Sequence, residues 1–444
     1  MPTLLTKNFR ILLAQRLYDL LDLATNSLLP DSQKHYLYTV IGKQLPWNSG
    51  TEVPETPLEY DAVLNEYYRN GIFAKQMSYN NASLVVPRVD WTANTKYNTY
   101  EANTNFYVLN SKDQIFKCLA NNASANSTTE PQLTLSTTSL EEPYLKTADG
   151  YKWKYLYTLA SSQKQKFLSD DWLPVTYNKF VRAAAVPGSI DIINITNSGN
   201  NYINGSNVAM ITIDGDGSGA LLKANVVGGH VVNVVIQDRG SDYTYASLTF
   251  DDSVSPLNGT GTGAAATVAI APHDGHGYEP IEELGASTVM FNVEFKQDES
   301  VDLPTDNDFR QIIVLENPFR GGTSNLATGS AYTLYTTVTT SPGVGDFNND
   351  EVVYQGTTYE DATFTGDVLS FNEVENKLFL NNIRGTLTTN MAIKGKDTGA
   401  IRVVSSYVDP TLDLYSGKVL YIANRLPVTR DTAQTERIRF ILSF

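Results

Sequence analysis

The chain has 444 residues, a formal net charge of −15, a single cysteine and only 18% charged residues, below the usual quarter. That length implies about three domains; Cys118 alone excludes an intrachain disulfide, and the acidic balance argues against a nucleic-acid partner, whose phosphates are held mainly by Lys and Arg. Asn, Thr, Ser and Gly take the place of charge, and aromatics reach 11% with 26 Tyr, a composition suited to β-strands, polar loops and broad protein contacts.

In chain order, the opening MPTLLTKNFR lacks an apolar core behind a basic region, so no signal peptide is expected. Residues 11–24 are broken by Arg16, Asp19 and Asp22, which excludes a membrane-spanning helix there. The expectation is a chain that folds in a cytosol and binds no membrane. Phe9, Leu12, Leu13, Leu17, Leu20, Leu21 and Ala24 recur at helical spacing behind Thr6, a cap candidate, and predict an amphipathic helix ended by residues 26–30. Residues 36–41 read as a strand stopped by Gly42 and followed by Pro46-Trp47. A second helix is expected over 60–69, ended by Asn70-Gly71. Val85-Val86 leads into a stiff proline turn, Pro87-Arg88-Val89-Asp90-Trp91.

Residues 106–109 and 115–119 flank Asn110-Ser111-Lys112-Asp113 as a hairpin. Cys118 lies in this strand-like run and reads as a small buried residue, since a reactive thiol needs an electropositive setting. An Asn/Ser/Thr-rich loop covers 121–138. Asp149-Gly150 then turns into an alternating aromatic strand over 151–157, and 161–168 is a short helix closed by Asp170-Asp171-Trp172-Leu173-Pro174.

Residues 189–271 form a glycine-rich double repeat. Gly199 and Gly240 precede Tyr202 and Tyr243 at matching places, and Gly217-Ser218-Gly219-Ala220 matches Gly261-Thr262-Gly263-Ala264. Alternating residues such as Ile193 and Ile195, or Val232, Val234 and Ile236, predict half-buried strands closed by glycine turns. His273-Asp274-Gly275-His276-Gly277-Tyr278 then returns the chain to the composition found ahead of the repeat, with strands expected over 289–295 and 311–315. Residues 321–407 are again Thr/Gly-rich, and 347–356 is echoed by 391–395, which predicts a second inserted β-module of small-barrel type. Strands over 419–422 and 438–442 finish the chain. The fold class expected is α+β, mainly β, with a few N-terminal helices.

Candidate chemistry is sparse. Asp214-Gly-Asp216-Gly-Ser218-Gly219 fits the first half of a calcium loop, but Asn225 stands where a bidentate Glu is needed and the repeat copy has lost both carboxylates. A glycine turn is the simpler reading. The same glycines have the wrong spacing for a dinucleotide site. His273 and His276 with Asp274 lack a clear third metal ligand, so a structural turn is expected. Acidic pairs at 170–171, 251–252 and 282–283 point to opposite faces if they lie on strands. No catalytic, cofactor or metal residues are therefore assigned.

Several fragments nonetheless share an order. They are Val419-Leu-Tyr-Ile-Ala-Asn424-Arg425-Leu-Pro427, Gln434-Thr435-Glu436 with a closing strand to Phe444, and Asp308-Phe309-Arg310-Gln311-Ile312 with Asn317-Pro318. Pro87–Trp91, Asp149-Gly150-Tyr151-Lys152-Trp153-Lys154-Tyr155-Leu156, and Gly42 with Pro46-Trp47 complete the set. Together they resemble the baseplate wedge protein known as gene product eight of T-even-type contractile-tailed phages. The resemblance covers 1–187, 277–319 and 418–444. Its departures are the 189–271 repeat and the enlarged 321–407 module, insertions similar to those in baseplate proteins of cyanobacterial phages.

The resemblance implies a non-enzymatic scaffold of the virion tail baseplate, assembled in the host cytoplasm and rearranging when the tail contracts. It implies a homodimer whose partners are other wedge proteins, gene products six, seven and ten. It also implies a scaffold in three parts (1–187, 277–320, 418–444) with modules inserted at 188–276 and 321–417. Trp91, Trp153 and Trp172 are expected mostly in cores; Arg88 and Asp90 are expected to pair; Arg310 and Arg425 are expected to tie down neighbouring loops. Two rivals stay open: a virion receptor-binding or fibre-attachment protein whose repeat holds a glycan, and a cell-wall glycosidase. As an insertion on an intact scaffold, 189–271 is expected to be removable without loss of folding.

Overall fold

The computed structural model describes residues 5–25, 30, 34–43, 68–99, 105–253, 256–296, 307–430 and 434–444. The chain is mainly β with a few helices, as its alternating patterns predict. It divides into two compact units, one of residues 1–15, 84–289 and 442–444, the other of residues 16–83 and 290–441. Residues 188–276 therefore share a unit with the aromatic strand around Trp153, and 321–417 share one with the strand at 37–42.

The first helix, Lys7–Thr25, starts where Phe9 N–H donates to Thr6 Oγ1 at 3.3 Å. Among its described side chains, Ile11, Ala14 and Leu21 are buried, while Phe9 and Leu12 are nearly half exposed. The buried stripe is thus rotated by roughly 120° from the face that apolar spacing selected. Leucines crowd both sides of this helix, and the pattern alone picks the denser one. Of the helix expected over 60–69, residues 60–67 lie outside the described residues, as does Pro46-Trp47; residues 68–70 are helical and pass into the strand Gly71–Met77.

In the second unit, an antiparallel sheet runs in the order Ala331–Thr333, Gly71–Met77, Leu37–Gly42, Asn307–Glu316 and Lys418–Arg430. Every residue of Leu37–Gly42 is buried, as a central strand covered on both faces must be. Tyr38, Val40, Ala74, Ile313 and Tyr332 form its core, and the Tyr38 hydroxyl bonds to the Ala327 and Gly329 carbonyls at 2.9 Å each. Six strands (336–340, 377–385, 364–372, 352–355, 392–395 and 401–408) close into a barrel filled by Val338, Val353, Phe364, Leu378, Leu380 and Ile393. The echoed segments are adjacent in it: Val353 pairs with Gly395 and Tyr354 with Lys394.

In the first unit, the expected hairpin is the pair Tyr107–Leu109 and Gln114–Ala120, extended by Lys152–Thr158 and Leu145–Lys146. Phe116, Cys118, Trp153 and Tyr155 make one face, packed with Tyr97, Val108, Leu140, Tyr151 and Val181. The double repeat folds by exchange. The last strand of the first copy, Ser218–Val227, pairs with the first strand of the second, His230–Ser241, and the converse pair is Thr262–Ile270 with Ile190–Asn200. The two middle strands, Ile211–Gly215 and Ala246–Phe250, pair with each other. The matched glycines sit at matched contacts: Gly199 (φ +63°) backs onto the Ala264 amide and Gly240 (φ +61°) onto the Ala220 amide. Gly261 and Gly217 leave room for the rings of Tyr202 and Tyr243. A register shift between Asn225/Val226, which pair with Asn233 and Val231, leaves Val232 as the extra residue, so Val232 is exposed and its neighbour Val231 is fully buried.

Candidate functional site

All seven residues of Gln114–Ala120 are buried, and their alternation sends Phe116 and Cys118 to one face and Lys117 to the other. Lys117 stands opposite Lys154 in the register, and both side chains are buried. Like charges directly across a sheet repel, more so away from water, so this face needs anions. They come from two other places in the chain. Glu283, on the helix Pro280–Leu284, accepts from Lys117 Nζ at 2.7 Å. Asp191, on the first repeat strand, accepts from Ser189 Oγ at 2.7 Å and from Arg239 Nη1 at 3.2 Å.

His276 lies between the two anions. Its Nδ1 is 2.5 Å from Glu283 Oε1 and 3.3 Å from Lys117 Nζ, and its Nε2 is 4.0 Å from Asp191 Oδ2. The Gly277 amide donates to the other Glu283 oxygen at 2.7 Å. Burial pushes the Glu283 carboxyl up, but the Lys117 ammonium and the His276 ring outweigh it and hold the group well below the usual carboxylate range. Burial lowers His276 below its ordinary value, reinforced by the Lys117 cation and opposed by Glu283 and Asp191. Burial likewise lowers Lys117 and Lys154. Beside the cluster, Ile192 of the repeat packs with Leu119 and Ala120 of the sheet. Chemically this is a closed ionic staple: both Glu283 oxygens are engaged, and the Lys117 side chain is wholly inaccessible.

A second staple occupies the other unit. Lys43 Nζ contacts Asp308 Oδ1 at 3.0 Å, Asp350 Oδ1 at 2.9 Å and Asn307 Oδ1 at 2.6 Å. Arg310 reaches the second oxygens of the same two aspartates at 2.7 and 3.1 Å. Asn381 of the barrel donates to the carbonyls of Lys43 and Asn70 at 3.0 and 3.3 Å. Arg310 thus fastens the loop before the barrel strand Val352–Gln355 to the sheet strand Asn307–Glu316.

Within each unit, some of the sequence fragments that share an order meet in space. Trp91 Nε1 donates to Ser127 Oγ at 3.1 Å, and Ser127 donates in turn to Asp149 at 2.9 Å. Asp149 also takes the amides of Thr128 and Thr129, so this one carboxylate organises the Asn/Ser/Thr loop. Burial raises its pKa, and the bonds from Thr147, Thr129, Thr128 and Ser127 reverse that and lower it. Gln311 pairs with Asn424 across adjacent strands, side chain to side chain, at 2.9 Å. Arg88 pairs with Asp90 at 2.9 Å and also bonds to the Ser169 carbonyl. Trp153 is fully buried, whereas Trp91 and Trp172 are half-buried.

The candidate metal sites resolve otherwise. Asp216 accepts from the Thr244 amide at 2.8 Å, the Thr244 hydroxyl at 2.5 Å and the Tyr245 amide at 3.2 Å, and those bonds lower its pKa to about 2. It is a turn clasp. Of the two histidines, His276 is buried in the staple against Glu283. Among the described residues no group of three or more His, Cys, Asp or Glu could hold a metal ion, and no helix is long and apolar enough to cross a membrane. Sequence reasoning weighed Glu283 only as half of an acidic pair, and the structure places that pair on a helix rather than a strand; it missed Lys117, Lys154 and Asp191. The available signal was a lysine inside an otherwise apolar strand, QIFKCLA.

Two exposed surfaces carry aromatic or apolar side chains. Along the barrel strand Ile401–Val408, Ile401, Val403 and Tyr407 face outward, beside Val344 and Met391. In the other unit the Arg182 guanidinium lies between the rings of Tyr177 and Tyr278, 5.0 and 4.5 Å from their centroids, with Phe180 exposed nearby. No family model matches the chain, and no curated protein matches it.

Proposed function

We propose that the chain is a structural, non-enzymatic component of a bacteriophage contractile-tail baseplate wedge. It acts as a dimer by protein–protein assembly with other wedge proteins, and it carries part of the rearrangement on contraction. The observation that carries the reading is the pairing of fragments on which the resemblance rests: Trp91 with Asp149 through Ser127, and Gln311 with Asn424. Fragments whose order is shared with the wedge family would be retained if they hold one scaffold together. The exposed Tyr177–Arg182–Tyr278 sandwich and the outward stripe of the barrel supply the residue types that dominate protein interfaces. The polar groups of the buried clusters are spent on one another, in keeping with a structural role.

The test is localisation and assembly. Antibodies against the chain should label the end of the tail in intact particles, and the purified protein should sediment as a dimer that binds another wedge protein. A monomer that binds none of them, or labelling away from the tail end, refutes the proposal.

A further inference from the structure

The barrel unit contains an open cleft of about 530 Å³. Its lining includes Arg69, from the helical turn before the strand Gly71–Met77, and Arg384, at the end of the barrel strand Lys377–Gly385. Arg69 Nε is buried and has no hydrogen-bond partner. One carboxylate, Asp409, shares the lining, and the Arg384 charge acts on the Asp367 carboxylate, but among the described residues neither arginine is in direct ion-pair contact with an acid. In a chain with 48 acidic and 33 basic residues, two arginines in one cleft without a directly contacting carboxylate stand out. A buried guanidinium nitrogen without a partner costs free energy that an arriving acceptor would recover. Most of the remaining wall is apolar and aromatic: Ile383, Leu387, Pro410 and Leu414 with the exposed rings of Tyr407 and Tyr415. Gly385, at φ +81°, makes the turn that brings this rim back over the barrel end.

We propose that this cleft binds an acidic segment of a partner protein, with carboxylates on Arg69 and Arg384 and aliphatic side chains against the apolar wall. The paired arginines select for carboxylate by planar bidentate geometry. Four aliphatic residues favour peptide side chains over a sugar, which presents little aliphatic surface. Tyr407 also belongs to the outward stripe of the barrel, so the cleft continues an exposed apolar face. The proposal does not rest on the baseplate reading: an acidic peptide would dock here whatever particle the chain belongs to.

The test is fluorescence anisotropy of a fluorescein-labelled hexapeptide of alternating Glu and Leu, titrated with the full chain. Saturable binding below millimolar protein is expected, at least about tenfold tighter than for the Gln–Leu counterpart and weakened by salt. Arg384→Ala, at a position outside the barrel core that folding should tolerate, should weaken it about tenfold, and Arg69→Ala at least as much. Polygalacturonate should compete poorly. No saturation at 1 mM protein (~4 kcal/mol of binding), equal binding of the Gln peptide, indifference to Arg384→Ala, or tighter binding of polygalacturonate would each overturn the proposal.

Discussion

Replacing Lys117 with Met tests whether the buried staple stabilises the first unit. The substitution keeps most of the side-chain volume and removes the ammonium that donates to Glu283 at 2.7 Å. Removing one partner of a buried pair typically costs about 3–5 kcal/mol, because the other charge is left without compensation. Two features place Lys117→Met at the lower end, near 3 kcal/mol. His276 remains 2.5 Å from Glu283 and can take a proton to replace the lost cation, and the Lys117–Lys154 repulsion disappears. Glu283→Gln should cost a similar amount, since it strands Lys117 beside Lys154. The double variant should then cost less than the sum by about 2 kcal/mol, the coupling expected of contacting groups. Urea unfolding followed by tryptophan fluorescence measures all three, as Trp153 lies on the opposite face of the same sheet. A loss under about 1 kcal/mol for Lys117→Met, together with an additive double variant, would show that the cluster is incidental.

Stability should fall with acid in two stages. His276 has its pKa lowered on folding, so the unfolded chain takes up its proton first and stability declines as pH drops below about 6.5. Glu283, also lowered, adds a second decline below about 4.3, and His276→Gln should flatten only the first; the facing groups Lys117, Lys154, Glu283, Asp191 and Arg239 stay in place in that variant. Gly199→Ala and Gly240→Ala should each destabilise by about 1–3 kcal/mol and to a similar extent, since each Cβ would meet backbone atoms at 2.5–2.6 Å; melting curves that differ widely would break the equivalence of the two repeat copies. The Cys118 thiol, pushed up to about 12 by burial, should resist a thiol reagent in the native protein and react on unfolding, and fast native labelling would contradict its packing against Trp153. Deleting 189–271 should destabilise the first unit, because Ile190 and Ile192 are fully buried at about 1.5–3 kcal/mol each and Asp191 faces His276; deleting 194–267 behind an Asn-Gly turn should be tolerated, and equal melting temperatures for the two deletions would refute this.

Elements that declare themselves by period were legible in the sequence. The hairpin around Asn110, the aromatic strand at 151–157 and the small barrel follow from alternation and turn residues. The pairing of Arg88 with Asp90 and the tie between Arg310 and a loop, expected for the shared fragments rather than from any period, are present as well. The helix face was not legible, because Leu12, Leu13, Leu17, Leu20 and Leu21 leave two candidate stripes and packing decides between them. The ionic cluster was illegible for a different reason. A lysine on a strand reads as pointing to water, and only the layer that covers the strand reverses that. Lys117, Asp191 and Glu283 are separated by at least 74 residues, so no local window holds two of these partners.

The repeat is tied to the sheet beside it at its entry strand. Its ends lie side by side: the Gly188 amide donates to the Pro272 carbonyl at 3.1 Å and the Ala271 amide to the Ser189 carbonyl at 2.8 Å. Ends that touch let the flanking chain run on with little disturbance. Strand exchange between the two copies then makes the module complete only as a pair, since each first strand needs the other copy's last strand. Yet the strand that enters the module supplies Asp191 to a cluster whose lysines belong to the sheet. Lys117 keeps Glu283 whatever the module does, but losing the module would take from this face the Asp191 charge that favours the cationic form of both lysines. Buried Ile190 and Ile192 together with the Asp191 charge, rather than the glycine turns that mark the module in sequence, fix its entering strand to the rest of the unit.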